Sequence, residues 1–447
     1  MTTPLSSERA MHLAAFVVAG PVSGCHGGWR HPAADTQLLS ASYYTRLGQL
    51  LEQGRFDMLF LADILAIPRR YQGRMDSQLQ LGALGALRLD PMIVLSLIAG
   101  ATQHLGLAST ISTSYFNPYA VARSLATLDH LSAGRAAWNI VTSFQQAEAA
   151  NFGLTDQLSR DERYDRAEEF VEVACKLWDS WDDGALRLDA AAPQFADPAG
   201  VRAIDHQGKW FNVQGPLNVS RPPQGRPVFI QAGASGRGKD FAARWADVIF
   251  VTHSSLESAQ AFYTEMKERA ARFGRSPDSL RILPGIVPIV GETETIAQEQ
   301  EKLLGALTDP EAGLSTLSYH LDIDLSQFPQ DQVLPDLDVP GVQGHYKEVA
   351  ELTRRSGIGL RELGHRYGIG PLRDFVGSAD KVADSLQHWF EAGACDGFMI
   401  QVPYLPGGLE SFVRLVVPRL QDRALFRRDY TGTTLRDHLG LERPART

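Results

Sequence analysis

A turn of small residues near the middle of the chain has the composition of an anion-binding site. An apolar run over residues 228–230 predicts a buried strand, which breaks at Gly233 into Ala234, Ser235 and Gly236 before a helical pattern starts. The first backbone N–H groups of a helix have no partner inside it, and the helix dipole favours negative charge there. We therefore expect this turn to hold a phosphate, with the Ser235 hydroxyl as a further donor. An ordinary strand-to-helix turn with a serine cap is the alternative.

Short apolar runs alternate with longer helical segments along almost the whole chain. Each run is apolar throughout, as expected for parallel strands that are buried on both faces. No G-x-G-x-x-G follows the first strand, which weighs against a dinucleotide-binding sheet. The predicted fold class is therefore α/β, a (β/α)8 TIM barrel. Its strands are expected at residues 12–18, 57–62, 105–113, 136–142, 228–230, 247–252, 281–290 and 396–402.

Three segments do not fit the repeating unit, and we interpret them as insertions in a single domain of residues 1–447. They span about residues 64–90, 190–226 and 308–370, the last combining a polar loop with two short helices. Insertions at the carboxyl end of a barrel usually form the wall or lid of an active site. The tail over residues 422–447 is rich in Arg and Asp, and we expect it to pack on a neighbouring subunit rather than on the barrel.

The composition excludes several classes of partner. The chain has 447 residues, is 44% hydrophobic and carries a net charge of −9, so it has no broad basic field for nucleic acid or an anionic membrane. Residues 92–101 form the longest apolar stretch, too short to span a bilayer. The three cysteines lack C-x-x-C spacing, which argues against disulfides and metal sites. We expect a cytoplasmic protein without a bound metal.

Several motifs, in order over nearly the whole chain, match one family. The chain resembles the two-component FMN-dependent monooxygenases related to nitrilotriacetate monooxygenase, dibenzothiophene-sulfone monooxygenase and pristinamycin synthase, in the bacterial-luciferase-like superfamily. The matching segments are residues 29–32 (WRHP), 56–63 (FDMLFLAD), 87–91 (LRLDP), 109–115 (STISTSY), 130–143 (HLSAGRAAWNIVTS), 162–170 (ERYDRAEEF), 231–235 (QAGAS) and 391–398 (EAGACDGF).

The resemblance implies a barrel that binds reduced FMN at the carboxyl ends of its strands. A separate NAD(P)H:FMN reductase would supply the flavin, and O2 would be the co-substrate, acting through a flavin-peroxide intermediate. The protein would orient the ring and exclude water, because the redox chemistry belongs to the cofactor. A homodimer or homotetramer is expected.

The resemblance also implies roles for residues at strand ends. Asp63 matches an acidic residue beside the flavin ring, although it could simply form a turn after its strand. Ser109 and Thr110 stand where the family has a hydroxyl against the ring, and the sequence does not choose between them. Asn139 is an amide in an apolar strand, and it needs a partner, either the ring or a neighbouring strand.

The phosphate end of the flavin is assigned to a second group of residues. Arg160 and Tyr164 are four residues apart, so they share one face of a predicted helix. In the family these positions reach the FMN phosphate, the first more often as His. With the turn at residues 234–236 opposite, the pair would complete a phosphate cage. A solvated arginine beside a packed tyrosine is the alternative.

The catalytic residue is not identified by the sequence. His26 is a candidate donor to the peroxide, but a structural hydrogen bond would explain it equally well. The predicted substrate is small and hydrophobic, aromatic or organosulfur. The alternatives are an aminopolycarboxylate monooxygenase that cleaves C–N bonds and a deazaflavin-dependent oxidoreductase on the same barrel.

Overall fold

Eight parallel strands form a closed barrel in the computed structural model, as the sequence predicts. The structure describes residues 9–21, 24–233, 236–337, 339, 341, 343–370 and 375–446. Around the barrel the strand order is β1-β8-β7-β6-β5-β4-β3-β2. The strands are β1 (His12–Val18), β2 (Met58–Ala62), β3 (Gly106–Ser112), β4 (Ala136–Val141), β5 (Val228–Gln231), β6 (Val248–Val251), β7 (Arg281–Ile286) and β8 (Gly397–Ile400).

Helices follow the strands and cover the outside of the barrel. Their bounds are α1 (Ala41–Gln53), α2 (Asp76–Leu81), α3 (Pro91–Ala99), α4 (Pro118–Leu131), α5 (Gln146–Asn151), α6 (Arg160–Trp178), α7 (Gly236–Trp245), α8 (Leu256–Arg272), α9 (Glu294–Leu307), α10 (Pro310–Leu321), α11 (Gln343–Ser356), α12 (Leu360–Ile369) and α13 (Ala379–Glu391). The last are α14 (Gly407–Ser411), which continues through a π-helical turn (Phe412–Val416) into α15 (Val417–Asp422), and α16 (Leu435–His438).

The predicted insertions contain short elements of their own. Within residues 308–370 the structure has three helices, α10 to α12, rather than the two expected, because Asp309 caps α10 and Pro310 occupies its first turn. The second insertion includes short antiparallel ribbons, among them His206–Gln207 with Asn212–Val213. The strand predicted over residues 281–290 breaks at Pro288, since a proline cannot donate to the ladder.

The C-terminal tail packs against the amino end of its own barrel, so the expectation that it leaves the barrel for a neighbouring subunit is wrong. Leu435, Leu439 and Leu441 belong to the same apolar cluster as the side chains inside the barrel. The backbone N–H of Leu435 donates to the Gly134 carbonyl at 2.9 Å. The charged composition was misleading because two of the tail arginines, Arg427 and Arg436, are paired with buried carboxylates of the barrel.

Three buried carboxylates, Asp57, Asp247 and Asp396, stand immediately before β2, β6 and β8, and we call them the basal carboxylates. Each accepts a backbone N–H of an adjacent strand, from Leu13 (2.8 Å), Phe229 (2.9 Å) and Ile282 (2.9 Å) respectively. Each also has a cation: Arg427 for Asp57, Arg436 for Asp247, and Arg9 with Lys267 for Asp396.

Burial raises the pKa of the basal carboxylates, but the cations and the N–H donors outweigh burial and hold each pKa below its usual value. The charged form is therefore the one that the folded barrel binds. The stability that these groups add is present above the pKa of an unfolded aspartate, about 4, and is lost as the pH falls through the lower folded value.

Replacing Arg436 by Met should destabilise the protein by about 3–5 kcal/mol at pH 7, because the change leaves Asp247 buried without its cation. The Arg436 side chain is only 3% exposed. Urea unfolding measures the loss, with Arg428→Met as the control, since Arg428 and Asp422 form an exposed pair worth about 0–1 kcal/mol. Equal losses in the two variants would contradict the importance of the buried pair.

Candidate active site

A cavity of about 320 Å³ lies at the carboxyl ends of β2, β3 and β4. Carboxylates and hydroxyls line it together with apolar side chains. The polar lining residues are Asp63, Asp90, Ser109, Thr110, Ser112, Ser124, Ser143 and Glu148, and the apolar ones include Leu65, Met92, Ile111, Phe116 and Val141. A larger groove of about 660 Å³ lies between α6 and α7, but none of its lining residues stands at the end of a barrel strand.

Asp63 directly follows β2, and its carboxyl group lines this cavity. Its Oδ1 accepts the backbone N–H of Ile64 at 2.9 Å. Burial raises the pKa of Asp63 to about 7, with the nearby carboxylates of Asp90 and Glu148 adding to the effect and Arg88 opposing it. The side chain can therefore donate or accept a proton near neutral pH.

Arg88 is a site residue to which the sequence analysis gave no role. It is half-buried and donates to the carbonyls of Ala62 (3.2 Å) and Leu84 (2.6 Å). Its Nε has no hydrogen-bond partner among the described residues, and burial of the guanidinium lowers its pKa to about 10. The sequence did contain a signal for Arg88, because this residue lies in the LRLDP segment (residues 87–91) that matches the family.

Ser109 and Thr110, the two candidates for the hydroxyl beside the flavin ring, point to opposite sides of β3. Ala108 belongs to the cluster inside the barrel, whereas Leu107 and Ile111 pack outside it. Because side chains alternate along a strand, Thr110 faces inward and Ser109 faces the helices. Thr110 donates to the Leu61 carbonyl at 2.8 Å, while the Ser109 hydroxyl is buried without a partner.

Asn139 lies beside Thr110 in the interior of the barrel. Its Nδ2 donates to the Thr110 hydroxyl at 3.0 Å, but its Oδ1 is buried and accepts no hydrogen bond from any residue that the structure describes. An unsatisfied buried oxygen costs about 1–3 kcal/mol. The amide oxygen is therefore suited to accept an N–H or O–H of a ligand at the barrel mouth, which neither neighbouring strand provides.

Tyr164 connects the proposed phosphate end to two strands. It is buried, and its hydroxyl lies beside Thr142 after β4 and Gln231 at the end of β5; Gln231 in turn accepts the N–H of Gly233. Burial raises the pKa of Tyr164, and the positive charge of Arg160 partly offsets this.

The other predicted members of the phosphate cage are Arg160 and residues 234–236. Arg160 is half-buried, and within the described part of the chain its side chain has no hydrogen bond or ion pair. Gly236 begins α7 and is exposed. Ala234 and Ser235 lie outside the described residues.

His26 contacts the third insertion with both of its ring nitrogens. Nε2 lies 2.6 Å from the Thr316 hydroxyl on α10, and Nδ1 lies 3.2 Å from the Gly368 carbonyl on α12. Burial lowers the pKa of His26 to about 4, so the ring is neutral at physiological pH. This arrangement favours the structural alternative for His26.

Tyr319 brings the third insertion close to the cavity that Asp63 and Glu148 line. Its backbone carbonyl accepts from Gln145 Nε2 at 2.8 Å, and its ring packs against Phe144 at 5.7 Å between centroids. Burial raises its pKa, and the charges of Glu148 and Asp63 raise it further. Its proximity to Asp63 depends on how the insertion folds back, which the sequence does not reveal.

Three phenylalanines, Phe16, Phe60 and Phe250, lie together inside the barrel. Phe16 is 5.2 Å from Phe60 and 5.1 Å from Phe250 between ring centroids. Phe16 and Phe250 are nevertheless only partly buried. Side chains inside a barrel that keep some exposure border internal space, so these rings form an apolar surface below the mouth.

The part of the chain that the structure describes contains neither a cluster of metal-ligating side chains nor a helix able to span a membrane. No group of three or more His, Cys, Asp or Glu side chains there is arranged to hold a metal ion. No helix among these residues has the length and apolar character needed to cross a bilayer.

Known proteins resemble this chain in sequence and in fold. The luciferase-like monooxygenase family matches residues 22–395. The dibenzothiophene-sulfone monooxygenase of Rhodococcus erythropolis (strain XP) is 47% identical over 446 residues, 98% of each chain. Nitrilotriacetate monooxygenase component A of Aminobacter aminovorans is 43% identical over 435 residues, 95% of each chain. A crystal structure of riboflavin lyase with modified FMN and riboflavin is 30% identical with a TM-score of 0.89, covering 97% of this chain and 96% of that one.

The identity extends over nearly the full length of the two sequence relatives, so the likeness includes the barrel and its insertions alike. The resemblance inferred from the motifs is thereby confirmed. The chain belongs to the luciferase-like monooxygenase family and is a flavin-dependent monooxygenase.

Proposed function

We propose that the chain is an FMNH2-dependent monooxygenase that adds one atom of O2 to a small hydrophobic, aromatic or organosulfur compound. The observation that carries the proposal is the buried Asn139 Oδ1, which lacks a hydrogen-bond partner among the described residues and lies beside Thr110 inside the barrel. A flavin ring offers polar N–H groups on a flat apolar body. An orphaned acceptor in a barrel interior that also holds apolar rings fits such a ligand.

When bound, reduced flavin supplies the electrons that activate O2. The chain itself would bind and orient the ring through Thr110 and Asn139, with Asp63 at the polar edge. Because its pKa is about 7, Asp63 would hold or release a proton at its carboxyl group near neutral pH. The third insertion, through Tyr319 and its contact with Gln145, would exclude water from the same cavity.

Arg160 and Tyr164 would bind the phosphate of FMN, with residues Ala234, Ser235 and Gly236 opposite. The open guanidinium of Arg160 and the position of Tyr164 beside the ends of β4 and β5 support this assignment. The similarity to a protein crystallised with modified FMN favours FMN over a deazaflavin as the cofactor.

The charge of the cavity supports an uncharged substrate over an aminopolycarboxylate. Asp63, Asp90 and Glu148 line it, and a substrate with several carboxylates would be repelled by them. Of the arginines in the first insertion, Arg70 pairs with Asp322 and Arg74 with Asp76. The exposed faces of Phe16 and Phe250 suit an aromatic molecule.

A separate NAD(P)H:FMN reductase is our proposal for the source of the reduced flavin. The relative from Aminobacter aminovorans is named as one component of a monooxygenase, which supports a partner enzyme. A homodimer or homotetramer in the cytoplasm is the proposed state of the protein.

The purified chain should oxygenate dibenzothiophene sulfone when NADH, FMN and a flavin reductase are present. Product mass under 18O2 should show one labelled oxygen atom, because the proposed reaction takes a single atom from O2. Nitrilotriacetate serves as the comparison substrate, and its anionic groups should prevent turnover. Turnover of nitrilotriacetate without turnover of the sulfone would reverse the proposed substrate class.

Replacing Arg160 by Ala should weaken the binding of reduced FMN by about tenfold to a hundredfold, since a hydrogen bond to a charged group contributes about 1.5–3 kcal/mol. The binding of reduced riboflavin should hardly change, because riboflavin has no phosphate. Anaerobic titration measures both affinities, with Arg123→Ala on the exposed surface of α4 as the control. An equal loss for the two flavins would remove Arg160 from the phosphate site.

Asp63→Asn should stabilise the ligand-free protein at pH 8 and leave it unchanged near pH 4. The raised pKa means that the folded state binds the proton more tightly than the unfolded state, so wild-type stability falls as the pH rises from about 4 to about 7. The amide cannot ionise and escapes this loss. Urea unfolding from pH 4 to pH 8 tests it against Asp422→Asn, an exposed control; parallel curves for wild type and Asp63→Asn would refute the raised pKa.

A further inference from the structure

Arg163, near the start of α6, is a buried cation without a hydrogen-bond or ion-pair partner in the part of the chain that the structure describes. The residue is only 9% exposed, and its Nε is buried without a hydrogen bond. No hydrogen bond or ion pair joins its guanidinium to any other residue that the structure describes. An unpaired buried charge is expensive, so its retention calls for an anion that the chain alone does not supply.

The carboxylates nearest to Arg163 are already engaged elsewhere. Glu148 and Asp322 both influence its electrostatic environment. Glu148 accepts the backbone N–H of Leu65 at 2.9 Å, and Asp322 pairs with Arg70. Neither carboxylate is within ion-pair distance of Arg163, so the guanidinium remains available for a ligand.

The position of Arg163 on α6 indicates which ligand this is. Arg160, Arg163 and Tyr164 are spaced i, i+3 and i+4, so they lie on one face of the helix. The two arginines both act on the Tyr164 hydroxyl, and their charges repel each other. A dianion beside them would relieve this repulsion, and the planar fork of arginine matches the oxygens of a phosphate.

We propose that Arg163 is a second cationic ligand of the flavin phosphate, acting together with Arg160 and Tyr164. This inference rests on the proposed function, because it assigns the phosphate of the same FMN. The ligand-free protein would keep the guanidinium in place, buried and unpaired, and FMN would neutralise it on binding.

The variant Arg163→Met keeps an unbranched apolar stem but removes the guanidinium and its charge. We expect the affinity for reduced FMN to fall about tenfold and that for reduced riboflavin to stay the same. The free energy of unfolding without ligand should be unchanged or higher, because no hydrogen bond is lost. Inorganic phosphate should raise the unfolding temperature of the wild type more than that of the variant. Arg163→Lys should restore part of the preference for FMN.

Arg166→Met is the matched control, one turn further along α6. Arg166 donates to the Thr113 carbonyl at 3.1 Å and lies over the Phe211 ring, so its removal should cost stability and leave the preference for FMN over riboflavin intact. Arg163 would instead be structural if Arg163→Met destabilised the ligand-free protein as Arg166→Met does and weakened both flavins equally.

Two other outcomes separate this inference from the proposed function. If the wild type binds reduced FMN better than riboflavin and Arg163→Met keeps that preference, Arg163 is not a phosphate ligand while the proposed function stands. A selective loss of affinity for a carboxylate substrate would then assign Arg163 to the substrate and overturn the inference. If the wild type does not bind reduced FMN, the proposed function itself fails and this inference fails with it.

Discussion

The barrel closes around carboxylates that must be paired. Asp57, Asp247 and Asp396 each accept the N–H of an adjacent strand while a distant cation neutralises them. These contacts fix the register between neighbouring strands at the amino end. The side chains at the carboxyl ends depend on that register, since a slip by one residue would turn Thr110 and Asn139 away from the interior.

The two ends of the barrel therefore differ in how their polar groups are satisfied. At the amino end the three basal carboxylates each have a cation, and their ionised form is favoured. At the carboxyl end Asp63 has a raised pKa, and among the residues that the structure describes Asn139 Oδ1 and Arg163 Nε have no hydrogen-bond partner. The amino end of the barrel is thus stable, whereas the polar groups at the carboxyl end are available to a ligand. This is expected where a protein gives up local stability for binding.

The sequence predicted the fold well because its signals were local. Seven of the eight strands lie within the expected segments and β5 extends one residue beyond its segment, since an apolar run bounded by turn residues needs no knowledge of distant contacts. The tail was assigned wrongly because its arginines find their carboxylates hundreds of residues away, as Arg427 does with Asp57. Composition alone cannot distinguish such a buried pair from a solvated surface.

The candidate site was predictable in part for the same reason. Motifs indicated Asp63, Asn139 and Tyr164, but the choice between Ser109 and Thr110 required the pleat of β3. The engagement of both His26 nitrogens depends on where α10 and α12 lie. The isolation of Arg163 could not be inferred from its neighbours in sequence, because it depends on carboxylates that are bound to other residues.

The position of the tail has a consequence for the synthesis of the protein. β1 pairs with β8, and Asp57, which precedes β2, needs Arg427. β1 can pair with β2 early in synthesis, but its other edge and the carboxylate of Asp57 must wait for almost the last residues of the chain. Until then one apolar strand edge stays open, the state in which large chains aggregate.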